Sequence, residues 1–116
     1  ALLNDGQARD RLAGERVWAP EVIDVEVVNG LRSCLARGRI DGAAAQAAFT
    51  AWQGLGIRRV SGRGLLPRVW ELREVLDTAG ASYVALAEAL DCAVVTADAK
   101  LSAITAARCP VLRVAN

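Results

Sequence analysis

The chain has 116 residues, 53% of them hydrophobic, which is enough for one domain with a real core. Fourteen basic residues against thirteen acidic ones leave a net charge of +1, so nothing in the bulk charge draws the chain to nucleic acid or to a membrane; any nucleic-acid contact must use a local patch. Histidine is absent, which excludes His-based acid–base chemistry, Ser-His-Asp triads and the usual zinc sites, and no apolar run of about eighteen residues is present to span a bilayer.

The remaining chemistry belongs to carboxylates, hydroxyls, Lys, Arg and thiols. Cys34, Cys92 and Cys109 lie far apart, form no CxxC pair and sit in or beside apolar segments. They read as reduced, buried thiols of a cytoplasmic protein. No signal peptide is visible. Methionine is absent even from the first position, which leads us to expect a segment upstream of Ala1.

In chain order, Ala1 to Ala13 reads as the end of a loop and a short helix stopped by Gly14. Val17-Trp18-Ala19 is a very short strand, and Pro20 opens a helix, where its missing N–H costs nothing. From Glu21 to Arg37 the helical period is clear. Ile23, Val27, Leu31, Cys34 and Leu35, widened by Val28, form the apolar stripe, and Glu26, Asn29, Gly30 and Ser33 share a neighbouring face. Glu26 then lies either on a solvated edge or facing a site. Gly38 closes the helix, with Arg37 and Arg39 near its carbonyl end. Asp41 caps an alanine-rich helix running to about Trp52.

Gly54 and Gly56 frame a loop, and Ile57 to Val60 is a weak strand. Gly62 and Gly64 break the chain before a helix over Leu65 to Leu76. Asp77 caps a further helix, apolar nearly all round from Ala81 to Leu90, which implies packing on several sides. Cys92 to Val95 is a buried parallel strand. Thr96 and Asp98 follow at its carboxyl end, where open α/β sheets hold their ligands. Asp98 is equally an N-cap for a short helix over Lys100 to Ala107. Val111 to Val114 is the last strand. Strands separated by helices imply parallel pairing with right-handed crossovers, an α/β fold. The strands are few for so many helices, and the expected place for a missing central strand is before Ala1.

Three stretches together resemble the PIN-domain proteins, and among them the VapC toxins. Ala19 to Arg32 (APEVIDVEVVNGLR) is similar to their "AP…E-V-x-N-x-L-R" helix. Trp70-Glu71-Leu72-Arg73 is similar to their "WELR" helix. Tyr83 to Leu90 (YVALAEAL), followed by Val95 to Leu101 (VTADAKL), is similar to their "YVALAEAL…TxDxxL" segment. The resemblance implies a PIN-like three-layer fold, a central parallel sheet flanked by helices, with the family's first strand absent from this chain. It implies a ribonuclease dependent on Mg²⁺ or Mn²⁺, the toxin of a toxin–antitoxin pair, bound by a VapB-type antitoxin and paired as a homodimer.

On that likeness the helix carboxylate falls on Glu26 and the post-strand carboxylate on Asp98, both as metal ligands. Asn29 and Thr96 are their supporting neighbours. The late-helix acid of the family falls on Gly80, and the first-strand acid would precede Ala1. Asp77 and Ser82 are the nearest stand-ins at Gly80, and capping is the other job open to Asp77. The alternative to catalysis is a degenerate PIN-like domain that binds an antitoxin or RNA. Hard Mg²⁺ or Mn²⁺ takes oxygen ligands, so the lack of histidine is consistent with such a site.

For RNA, Arg58, Arg59, Arg63, Arg68 and Arg73 make the densest basic stretch, and Arg32, Arg37 and Arg39 a second; each is a phosphate contact or simply a solvated group. Trp18, Trp52 and Trp70 lie at apolar positions and are expected in the core or at a protein interface.

Overall fold

The computed structural model describes residues 16–114. The short helix expected over Ala1 to Ala13, and its stop at Gly14, lie outside the described residues. In order the elements are β1 (Trp18–Pro20), α1 (Val22–Ala36), α2 (Gly42–Gln53), β2 (Arg58–Val60), a 3₁₀ turn (Arg63–Leu65), α3 (Leu66–Glu71), α4 (Thr78–Leu90), β3 (Val94–Thr96), α5 (Ala99–Ser102) and β4 (Val111–Arg113).

Pairing is parallel, as the alternation of strands and helices requires. Trp18 registers with Arg58 in the β1–β2 pair, and Val94 with Val111 in the β3–β4 pair. Among the described residues the two pairs are separate ladders rather than one continuous sheet. What joins them is α4, which packs against both β1 and β3 as well as against α3.

The residues of α4 explain that position. Ala81, Val84, Ala85, Leu86 and Ala87 are all buried, so the helix has packed neighbours on most of its circumference. Burial of Val84 and Leu86 contributes about 1.5–3 kcal/mol each. The main core gathers these residues with Leu65, Val69, Leu72, Val94 and Leu101. A smaller cluster holds Ala19, Ile23 and Trp52. Tyr83 packs against both clusters.

The caps follow the sequence closely. Asp41 accepts from the backbone N–H of Ala44 at 2.7 Å, and Asp77 from that of Gly80 at 2.8 Å. At the end of α1, Gly38 has φ +67°. The Gly38 N–H donates to the Leu35 carbonyl and that of Arg39 to the Cys34 carbonyl, the two bonds of a Schellman end. The end of α4 repeats this pattern with Asp91, not glycine, at φ 53°.

Several expectations need correction. The helix expected over Leu65 to Leu76 is a 3₁₀ turn followed by α3, which ends at Glu71. Beyond it the chain tightens, with the Arg73 and Val75 N–H groups bonded three residues back, so that Leu72 stays buried and Asp77 reaches its cap. The helix expected over Lys100 to Ala107 is only Ala99–Ser102. It stops once Leu101 is buried, before β-branched Ile104 and Thr105, which disfavour a further turn.

Pro20 ends β1 instead of opening α1, and the strand expected over Cys92 to Val95 is Val94–Thr96. Cys92 is exposed and Cys34 and Cys109 are half-buried, so the thiols are free but not core residues. On α1 the stripe is narrower than its periodicity implies: Ile23 alone is buried, and Leu35 and Val28 are 42% and 50% exposed. No described helix is long and apolar enough to cross a membrane.

Candidate functional site

Glu26 is half-buried in the second turn of α1, and its Oε1 accepts a hydrogen bond of 2.8 Å from the Tyr83 hydroxyl. Glu26 and Tyr83 are 57 residues apart in sequence. Glu26 therefore meets a side chain of α4, which takes it off a fully solvated edge. Burial, and then the Glu26 carboxylate beside it, push the Tyr83 hydroxyl well above the usual phenol range, so Tyr83 is a fixed neutral donor.

Asp98 is exposed just past β3. Its Oδ1 accepts from the Lys100 N–H at 2.8 Å, which makes it the N-cap of α5. Thr96 is half-buried, and its Oγ1 accepts from the Asp98 N–H at 3.0 Å. Thr96 and Asp98, two residues apart, are thus joined by a side-chain-to-backbone bond. Asn29 is exposed and accepts from Arg32 Nη2 at 2.9 Å, a pairing within its own helix.

Gly80 is half-buried in the first turn of α4. A Cβ placed there would stand 2.9 Å from Asp77 Oδ1. Ser82 donates to the Thr78 carbonyl at 2.8 Å and is turned back on its own helix.

Glu26 and Asp98 each offer carboxylate oxygens, the donor type a hard divalent cation takes. The number of donors falls short. Among the described residues no three acidic, His or Cys side chains gather closely enough to hold a metal ion.

The basic stretch divides by partner. Arg59 forms a two-pronged pair with Asp24, Nε to Oδ2 at 3.0 Å and Nη2 to Oδ1 at 2.9 Å, and donates to the Ile57 carbonyl. Trp52 Nε1 donates to the same Asp24 Oδ1 at 2.8 Å. Arg59 first, and then Trp52, hold the Asp24 carboxyl below its ordinary range. Arg68 binds both oxygens of Glu88 at 2.7 and 3.1 Å, Glu71 at 3.0 Å and the Ala106 carbonyl at 2.9 Å. These two arginines are engaged within the protein, so they are not the free phosphate contacts that their sequence neighbourhood allowed. Arg58 lies over Trp18 and Arg73 over Trp70, at 5.2 and 4.4 Å from the ring centres. Trp52 is buried, whereas Trp70 is 67% exposed.

Periodicity missed Asp24, Tyr83 and Glu88, the residues with the most specific long-range polar contacts. Asp24 lies two residues before Glu26 on the same helix, and Tyr83 is the first residue of the "YVALAEAL" segment.

Comparison with known proteins bears on this arrangement. The PIN domain matches residues 4–107. The chain is 48% identical over 111 residues to VapC ribonuclease Mb0985 of Mycobacterium bovis, an alignment covering 96% of this chain and 87% of that protein. Ribonuclease VapC9 of Mycobacterium tuberculosis gives the same figures, 48% over 111 residues. Ribonuclease VapC12 of Mycobacterium tuberculosis is 34% identical over 92 residues, which is 79% of this chain and 71% of that one.

Proposed function

The chain belongs to the PIN-domain family, alongside the VapC ribonucleases, and from that premise we propose that it is a metal-dependent endoribonuclease, the toxin of a VapBC-type pair. The observation that carries this reading is the 48% identity to VapC ribonucleases over 96% of the chain. Glu26, held by Tyr83, and Asp98, held by Thr96 and the start of α5, are the two family-type carboxylates present.

In this reading Glu26 and Asp98 are the residues that would contribute carboxylate oxygens to Mg²⁺ or Mn²⁺, and the chemistry such an ion would supply is activation of water and offset of charge on the phosphodiester oxygens. Thr96 Oγ1 accepts from the Asp98 N–H, and the Lys100 N–H donates to Asp98 Oδ1, which orients the carboxylate against the start of α5. Arg58, Arg63 and Arg73 remain for phosphate, since Arg59 and Arg68 are ion-paired. The partner is a VapB-type antitoxin, and the chain pairs as a homodimer in the cytoplasm. Exposed Val25 on α1, and Leu66 and Trp70 on α3, are apolar surface for such contacts. Residues 1–116 act as one domain, supported by the way α4 packs on both strand pairs.

A second reading rests on one observation, glycine at position 80 where the family resemblance places an acid. In that reading the domain binds antitoxin or RNA without cutting.

The test is cleavage of a structured RNA with Mn²⁺ by the unmodified chain, by Glu26→Gln and by Gly80→Asp. The nuclease reading expects the unmodified chain to cut and Glu26→Gln to be inactive. Cleavage by Gly80→Asp alone would establish the binding reading instead.

A further inference from the structure

Cys92 and Cys109 stand at the same step of the β3–β4 ladder. Val94 registers with Val111, and each cysteine precedes its valine by two residues. The Val94 N–H donates to the Pro110 carbonyl at 2.9 Å, so the two chains already run side by side next to Cys109. The ladder stops there for a local reason. One step back it would need an N–H from Pro110, which has none, and the Cys92 N–H is turned to the Ala87 carbonyl at 3.0 Å. The last turn of α4 holds both chains at this point. Ala87 takes the Cys92 N–H, and Glu88 Oε2 takes the Arg108 N–H at 2.7 Å. Neighbouring parallel strands lie about 4.7–4.9 Å apart, and a disulfide spans Cα atoms about 4.4–6.8 Å apart.

The two thiols differ in access. Cys92 is exposed, whereas Cys109 is half-buried and packs against the main core. Burial first, then the Glu88 carboxylate and the Cys92 thiol, push the Cys109 thiol above its ordinary range, so the two sulfurs are within electrostatic reach of each other. The third cysteine, Cys34, is on α1.

We propose that Cys92 and Cys109 are a reversible redox pair, joined on oxidation by a disulfide across the starting ends of β3 and β4. The oxidant is a low-molecular-weight disulfide. The exposed Cys92 thiolate attacks one of its sulfurs, forming a mixed disulfide and releasing the first small thiolate. The Cys109 thiolate then attacks Cys92 Sγ and expels the second. Two electrons pass from the cysteines to the small disulfide, and the two cysteine protons end on the small thiols released. The closed ring of about 18 residues contains β3, Asp98 and α5. The bond lies before β3 and Asp98 lies after it, so oxidation staples this segment without touching Asp98. The pairing rests neither on a metal nor on the nuclease reading.

The experiment equilibrates the full chain in glutathione buffers from reduced to oxidised, alkylates the remaining thiols and weighs the protein and its peptides. The reduced chain is expected to be alkylated at all three cysteines, and the oxidised chain at Cys34 alone, with a peptide linking Cys92 to Cys109. Restoring reduced glutathione is expected to return every thiol. The melting temperature is expected to rise by about 10 °C on oxidation. That rise should vanish in Cys92→Ser and persist in Cys34→Ser. Thiols that survive oxidised glutathione, glutathione left on Cys92 without a link to Cys109, a link to Cys34, or a bond that reduced glutathione does not reopen would each overturn the proposal. So would a Cys92–Cys109 link that leaves the melting temperature unchanged. The thiol count and the linked peptide are read on the unmodified chain, so they decide the matter even where a serine variant fails to fold.

Discussion

Asp77 Oδ1 stands 2.9 Å from the point a Cβ on residue 80 would occupy, and 2.8 Å from the Gly80 nitrogen. The N-cap and the place where the family resemblance puts an acid therefore compete for one space. Without the glycine, the carboxylate of Asp77 has to give way. We expect Asp77→Ala to cost about 1 kcal/mol in the unmodified chain. In the Gly80→Asp background the same change costs measurably less, because the cap is already displaced. Urea unfolding of the four proteins of this cycle is the measurement; equal costs in both backgrounds would show that cap and side chain coexist.

Asp98 has two jobs that can be separated. Asparagine caps helices about as well as aspartate but is not an anionic ligand. Asp98→Asn is expected to keep its melting temperature within about 2 °C of the unmodified chain and to lower Mn²⁺-dependent RNA cleavage by about 100-fold or more. Asp98→Ala is expected to lose activity and also about 1 kcal/mol of stability. If Asp98→Asn cuts normally, Asp98 is a cap and nothing else.

Glu88 sets an acid limit on stability. Its side chain is 12% exposed and that of Arg68 19%. Arg68 above all, with help from the Arg108 N–H at 2.7 Å, holds the Glu88 carboxyl below its reference value of 4.5. A depressed carboxylate contributes its full stability above the unfolded-state value and loses it as pH falls through the folded-state value. Stability is thus expected to be constant in this respect above about pH 5 and to decline below about 4.5. Glu88→Gln should cost about 2 kcal/mol at pH 7 and should flatten the acid limb. Thermal unfolding between pH 3 and 7 checks both; an unchanged acid limb in the variant would place the effect elsewhere.

Asp91 carries left-handed backbone at the end of α4, φ 53°. A side chain in that region costs roughly 1 kcal/mol, somewhat less for aspartate. Glycine removes the strain but brings extra freedom to the unfolded chain. Asp91→Gly is expected to gain about 0.5 kcal/mol, read as a higher urea midpoint at unchanged slope.

Local signals were the legible ones. Asp41, Asp77 and Asp98 each cap the helix expected of them, because a cap depends only on the next few residues. The all-round apolar pattern of α4 likewise announced its central place. Partners distant in the chain left no such mark. Arg59 and Arg68 look alike in a basic stretch, yet one finds Asp24 35 residues away and the other Glu88 20 residues away. The Tyr83–Glu26 bond was hidden in the same way, since periodicity tells which face a residue occupies and not what meets it. Element ends failed where the tertiary path overrode the pattern, as at Glu71 and Ser102.

The alanines of α4 have a consequence for how this protein can change. Ala81, Ala85 and Ala87 are at most 4% exposed, so there is no spare volume for a larger side chain on those faces. The same helix carries Tyr83. A substitution that shifts α4 by a few tenths of an ångström to relieve crowding moves the anchor of Glu26 with it. Drift in the interior therefore reaches the Tyr83–Glu26 hydrogen bond at the surface, and variants chosen only for thermal resilience would be expected to shift that bond as well.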